Sequence, residues 1–309
     1  MTEPLALYKI EEFESQVPGG LHLVGAISGF TDAGSCMQQV AKHIFDNLDH
    51  EVLVTFSNDE LLDYRSRRPM MYFAQDHIED YEPASLKLYL VWDEVGNPFL
   101  FLNGYEPDFK WERFVSSLIE LIQHFEIADL TWLHSIPFPI PHTRPVGVTV
   151  SGNQQSVIDK FSEWKPRTQV PGNVMHLIEY RLSEMDFPTT GFVLLVPHYL
   201  SDSDFPQSAV TAFELISSHL NLVFPTDDLR DDGVAFIRRL QSEIADKPDL
   251  ARMVESLEKS FQSEKSANGM GAVKPRQNEV PDAEAIAAEL EGYLARHQKN
   301  KRESEEDED

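Results

Sequence analysis

The sequence predicts an α/β fold: a central mixed sheet between helices, followed by a small C-terminal helical region. Three observations predict it. Apolar runs of strand length alternate with stretches of helical periodicity from residue 1 to about 225. Two of those runs, 87–94 and 98–104, flank Gly96-Asn97, a hairpin signal that makes the sheet mixed. After Leu222 no strand-like run appears again.

The elements follow in order. LHLVGAIS (21–28) reads as a short buried strand. Met37, Val40, Ala41, Ile44, Phe45 and Leu48 then recur at helical spacing, with Asp32 ahead of them as a cap for free backbone N–H groups. EVLVTF (51–56) is the next strand, so 21–56 reads as a β-α-β unit with a right-handed crossover into a parallel sheet. The hairpin 87–104 is followed by a helix over 108–125, opened by Asp108, with Trp111, Phe114, Val115, Leu118, Leu121, Ile122 and Phe125 on one face. DLTWLHSI (129–136) and VGVTVSG (146–152) are strands on either side of a loop holding Pro137, Pro139, Pro141 and Pro145. Residues 173–185 read as helix and GFVLLVPHY (191–199) as a fully buried strand. A helix over 206–220 starts on Pro206, which suits the first helical turn.

Amphipathic helices over 227–246 and 249–265 come next. The expected organisation is a core domain over 1–225 and a C-terminal helical region over 226–298, with a linker near 266–281 and a last short helix at 282–297. KNKRESEEDED (299–309) repels itself and has nothing to bury, so it is expected to be a disordered acidic tail.

Charge narrows the function. There are 52 acidic against 26 basic residues, a net charge of −26. That excludes a general nucleic-acid binder, whose affinity comes from Lys and Arg on phosphates, and it disfavours an anionic membrane surface. No apolar run approaches the ~20 residues of a membrane span. The N-terminus MTEPLALYKIEEFE lacks the basic-then-apolar order of a signal peptide. The single cysteine, Cys36, permits neither an internal disulfide nor a cysteine-based zinc cluster. A cytoplasmic location is the expectation, with no metal and no cofactor.

In an open α/β sheet ligands gather beyond the carboxyl ends of the strands. The loops there are SGFTDAG (28–34), NGYEPDFKW (103–111), HSIPFPIPHTRP (134–145) and PHYLSDSDFP (197–206). Gly29 and Gly34 beside a helix start offer backbone amides to an anion, or form a tight turn capped by Asp32. Glu106 and Asp108 are either paired carboxylates for acid–base work or caps for the next helix. Arg144 suits a carboxylate or phosphate and His142 a proton shuttle, or the loop serves an interface. His198, ahead of Asp202 and Asp204, is a catalytic candidate or a loop-fixing hydrogen-bond partner. These five, Asp32, Glu106, His142, Arg144 and His198, make up one candidate ligand pocket. Arg65, Arg67 and Arg68 in DYRSRRP (63–69) form a candidate anion clamp or subunit interface. Cys36 is either a thiol activated by its helix terminus or a small core residue.

Taken in order, GFTDAG, DYRSRRP, FLFLNGYEPDFKWERF, PHTRPVGVTVSGN and VPHYLSDSDFPQSA resemble the actinobacterial branch of the PAC2 (proteasome assembly chaperone 2) family. G-x-EPD-x-x-W-x-x-F is the most specific string. The resemblance spans about residues 5–225. It implies a three-layer α/β/α core like that of purine nucleoside phosphorylases, assembly into homo-oligomers such as trimers, and an assembly-chaperone-like binding role with a protein client, more than catalysis. The archaeal relatives dock on the proteasome through a C-terminal hydrophobic-Tyr-any motif, and this sequence departs from it, ending Asp307-Glu308-Asp309. The alternative is an enzyme or small-ligand binder acting on an anionic molecule such as a nucleoside, phosphate or carboxylate. That reading needs the five candidates to converge in one deep pocket.

Overall fold

The computed structural model describes residues 7–12, 17–165 and 167–268. Its strands are β1 (Tyr8–Ile10), β2 (His22–Ser28), β3 (His50–Phe56), β4 (Met70–Ala74), β5 (His77–Glu82), β6 (Leu86–Trp92), β7 (Pro98–Tyr105), β8 (Asp129–Phe138), β9 (Gly147–Gly152) and β10 (Thr189–Pro197). The helices are α1 (Cys36–Asn47), α2 (Asn58–Leu61), α3 (Trp111–His124), α4 (Gln155–Phe161), α5 (Val174–Ser183), α6 (Pro206–Leu220), α7 (Asp227–Asp246) and α8 (Pro248–Asn268).

Eight strands form one mixed sheet in the order β1-β3-β6-β7-β2-β8-β10-β9. Parallel pairing joins β7, β2, β8 and β10. The β6–β7 hairpin is antiparallel, with Trp92 opposite Pro98. The Asp93 carboxylate ties its turn, accepting from the N–H groups of Val95, Asn97 and Val223. β3 is antiparallel to β6, so it runs in the same direction as β2. The β2-α1-β3 unit therefore has the expected strand direction, but the β6–β7 hairpin lies between its two strands. A crossover constrains direction and not adjacency, so the sequence of 21–56 alone had no record of that insertion.

Both faces of the sheet are covered, as the period-2 pattern of buried residues requires. Val24, Ala26, Phe99, Phe101, Phe192 and Leu194 pack on one side with α1, α6 and α7. Leu23, Leu88, Leu100, Leu102 and Trp132 pack on the other with α3 and α5. Each of these side chains larger than Ala26 contributes roughly 1.5–3 kcal/mol by leaving water. The architecture is a three-layer α/β/α sandwich with α7 and α8 following it.

Two boundaries differ from expectation. α3 begins at Trp111 after Lys110 in a left-handed conformation (φ 58°), so Asp108 does not cap it. α8 continues to Asn268, into the stretch expected to be linker near 266–281. The rest of that linker, the helix at 282–297 and the tail at 299–309 lie outside the described residues. The sequence reading also passed over the β4–β5 hairpin, which lies outside the main sheet. Its strands show no alternation, and it turns on Gln75 at φ 57° without a Gly or Pro signal. Among the described residues no helix is long and apolar enough to cross a membrane.

Candidate functional site

The carboxyl ends of β2, β7, β8 and β10 share one edge, and the four candidate loops leave from it. Asp32 sits between β2 and α1. Its carboxylate accepts from the N–H groups of Met37 (2.8 Å) and Gln38 (3.1 Å) and from Ser135 Oγ (3.1 Å). It thus caps α1 and ties that helix to β8. Burial pushes its carboxyl group up from the usual range, against the pull of these donors. Gly34 holds φ 71° in the same turn; its N–H donates to Ser201 O, and its own carbonyl accepts from Phe205 N–H. Cys36 starts α1 fully buried, and burial raises its thiol far above the ordinary value, so it is a core residue and not an activated thiol.

Glu106 follows β7 and is 9% exposed. One carboxylate oxygen accepts from the N–H of Val174 at 2.7 Å, the first residue of α5. The other is 3.4 Å from the N–H of Phe30. A methyl group on Gly29 would stand 2.4 Å from that second oxygen, so Gly29 leaves the space the carboxylate occupies. Asn173 and His176 form a reciprocal capping box on the same helix end. Asp108 is bonded elsewhere: it accepts from Asp63 N–H (2.8 Å) and from Arg67 Nη1 (2.6 Å). Trp111 donates through Nε1 to Pro107 O at 2.5 Å. The G-x-EPD-x-x-W string is therefore a bonding unit, with Glu106 reaching α5, Asp108 reaching the arginine loop and Trp111 locking the turn between them.

The arginine cluster divides. Arg67 lies over the Tyr105 ring at 5.5 Å and also donates to Glu106 O, so it clamps its loop onto β7. Arg65 pairs with Asp63. Arg68 is exposed.

His142 and His198 gather around Tyr199. The Tyr199 hydroxyl is 2.7 Å from both the N–H and the Nδ1 of His142. It accepts from the first, and the direction of its bond to the second follows the imidazole tautomer. Burial lowers the His142 pKa, while the Glu258 carboxylate acts weakly the other way. The same burial pushes the Tyr199 hydroxyl up to about 12. The exposed His198 packs edge-on against Tyr199, with ring centroids 5.5 Å apart. Arg144 donates through Nε and Nη2 to Glu258 on α8 (3.2 and 2.7 Å) and lies 5.5 Å from the Phe261 ring. A carboxylate of the chain's own α8 thus occupies the guanidinium that was a candidate for a ligand anion. We expect Arg144→Ala to free α8 from the core at a cost of about 1 kcal/mol, since the pair is partly exposed. Amide exchange in α8 should accelerate while β8 and β10 stay protected; unchanged exchange in α8 would rule out the clamp.

The five pocket candidates therefore share an edge but have separate surroundings: Asp32 at α1, Glu106 at α5, His142 and His198 at Tyr199, and Arg144 at Glu258 of α8. The cavity beside Glu106, lined by Gly29, Phe30, His134, Asn173 and Val174 among others, has about 10 Å³, roughly room for one water. It includes none of the other four candidates. The sequence reading missed Ser135, Tyr199 and Glu258, the partners that commit these side chains. Among the described residues no group of three His, Cys, Asp or Glu side chains is gathered to hold a metal ion.

Comparison with known proteins agrees with this architecture. Rv2714 of Mycobacterium tuberculosis, a protein of unknown function, is 33% identical over 86% of this chain and 94% of its own, with a TM-score of 0.80. A Corynebacterium glutamicum protein of unknown function is 31% identical over 85% of this chain and 99% of its own, with a TM-score of 0.79. Rv2125 of M. tuberculosis, described as a proteasome-assembly chaperone homologue, shares the fold at 21% identity, covering 76% of this chain and 100% of its own at a TM-score of 0.69. No curated protein matches. The sequence profile of the PAC2 family matches residues 26–244, from inside β2 to the last turn of α7, and the chain belongs to that family.

Proposed function

We propose that this chain is a non-catalytic, cytoplasmic binding protein of the assembly-chaperone type that works as a homo-oligomer, a trimer, and holds a protein client. The observation that carries this reading is the state of the sheet's carboxyl edge. Asp32, Glu106, Asp108, Arg67 and Arg144 are all bonded to the chain itself, and little space is left beside Glu106. A small-molecule site needs several hundred Å³ and convergent unpaired groups. Apolar side chains instead face outward from this edge, Phe30 and Phe109 among them. Such surface suits a protein partner more than an anion. Rv2125's description as a proteasome-assembly chaperone homologue supports the choice of partner class. In the same proposal, 1–225 is the folded core, 226–298 its helical appendage, and 299–309 dispensable.

Light scattering across the micromolar range should give three times the 35.3 kDa chain mass, or six times it where two trimers pair. A mass of one chain throughout would sink the self-association. Saturable heat on titration with phosphate, a nucleoside or a dicarboxylate would favour the small-ligand reading instead.

A further inference from the structure

The β4–β5 hairpin projects from the carboxyl edge, between the end of β3 and the start of β6, and among the described residues its two strands pair only with each other. Met70 is 74% exposed, Met71 52%, Tyr72 60%, Phe73 64%, Ile78 51% and Tyr81 52%. A two-stranded hairpin alone in water is marginal at best, and an uncharged apolar strand edge is a template for another strand.

The two edges differ. β5 carries Glu79, Asp80 and Glu82, and Glu79 is its extra residue at the irregularity where Tyr72 pairs with Asp80 and Phe73 with Ile78. Charge and a bulge are the devices that block edge pairing. β4, MMYFA, has no charge and no proline within it. Among the described residues no strand covers its outer edge.

We propose that the β4 edge is where two copies of this chain meet, strand to strand and antiparallel, around a two-fold axis at Tyr72. The proposal rests on the reading that the chain self-associates. The choice of a second copy comes from charge. In that register Tyr72 faces its own copy, Met70 faces Ala74, and the Arg68 root of each hairpin meets the Asp76 turn of the other. Arg65 and Arg67 have acidic partners in their own chain, Asp63 and Asp108. Arg68 is exposed and has no ion pair of its own among the described residues. The Asp76 side chain is 89% exposed and bonded to the adjacent His77. The apolar stretch is thus bracketed by opposite charges spaced so that two-fold symmetry matches them. Pairing two β5 edges would instead set acids against acids. A two-fold contact joins copies in pairs, so with a trimer it would build a hexamer.

Directed disulfides test the register. In antiparallel pairs facing Cα atoms are about 4.5–5.5 Å apart, within disulfide range. Tyr72→Cys should therefore give a covalent dimer on mild oxidation, at least tenfold faster than Met70→Cys. The two copies of residue 70 would be about 13 Å apart along the strands. Random collision would favour position 70, the more exposed of the two. The native Cys36 is buried and does not compete. Equal rates, or no dimer at position 72, overturn the proposal. Arg68→Asp should halve the mass seen by light scattering, and adding Asp76→Arg should restore it. A wild-type oligomer whose mass ignores Arg68→Asp overturns this contact and leaves self-association standing. A wild-type dimer that Arg68→Asp splits into monomers supports the contact and removes the trimer.

Discussion

Glu106→Ala should lower the stability of the folded chain by about 3 kcal/mol, without touching any substrate chemistry. The substitution leaves the buried N–H of Val174 without its acceptor, and the N–H of Phe30 loses its carboxylate partner too. An unsatisfied buried donor costs about 1–3 kcal/mol, more where the lost partner was charged. The carboxylate also stands at the positive end of the α5 dipole, which adds about 0.3–1 kcal/mol. In a chain of this size the melting midpoint should fall by roughly 5–10 °C. Glu106→Gln should land between the two. It keeps one acceptor oxygen but turns an NH₂ group toward one of two N–H donors. A general acid would behave differently, with both variants melting like the wild type while an activity disappears. Scanning calorimetry on the three proteins separates the cases, and an alanine variant melting within a degree of wild type would remove Glu106 from the capping role.

That prediction also marks where the sequence stopped being legible. Strands, helices and the β6–β7 hairpin could be read because hydrophobic period and turn chemistry are local properties. The partners of the site residues are not local. Glu106 meets Val174 across 68 positions, Asp32 meets Ser135 across 103, and Arg144 meets Glu258 across 114. A carboxylate that caps a distant helix and one poised for catalysis look the same in one dimension. Asp32 could be read as a cap because α1 begins a few residues later, and it does bond Met37 and Gln38. Asp108 could not be read in this way, since α3 starts at Trp111 behind a left-handed Lys110 and the acid turns back to Arg67. The β4–β5 hairpin escaped for another reason. Its apolar strand faces solvent on both sides, so no buried face imprints an alternation on it.

Acid should destabilise the protein through His134, beyond what its exposed groups would do. His134 lies on β8, 6% exposed, with the His176 ring 6.1 Å away and Trp132 beside both. Burial pushes its imidazole down to about 4, and the neighbouring His176 pushes the same way. His176 is lowered by burial as well, and its Nδ1 accepts the Asn173 N–H in the capping box, a bond that protonation of Nδ1 would break. The sign follows from the proton count. Between the unfolded value of 6.5 and the folded value of about 4, the unfolded chain binds the proton and the folded chain does not. Stability is therefore lost as pH falls through 6.5, and the loss levels off near 4. For His134 alone it amounts to about 3 kcal/mol by pH 4. Asp32 and Glu179 oppose it, because burial raises their carboxyl groups and the folded state gains by taking up their protons. His22 opposes it too, since Asp129 raises its pKa. The wild-type curve is thus a sum, and the difference between two proteins isolates the imidazole. His134→Phe keeps a ring in the site and removes the titration. Denaturant midpoints at pH 7 and pH 4 should show the wild type losing about 3 kcal/mol more than His134→Phe over that interval. Parallel losses in the two proteins would mean that His134 is not held neutral by the fold.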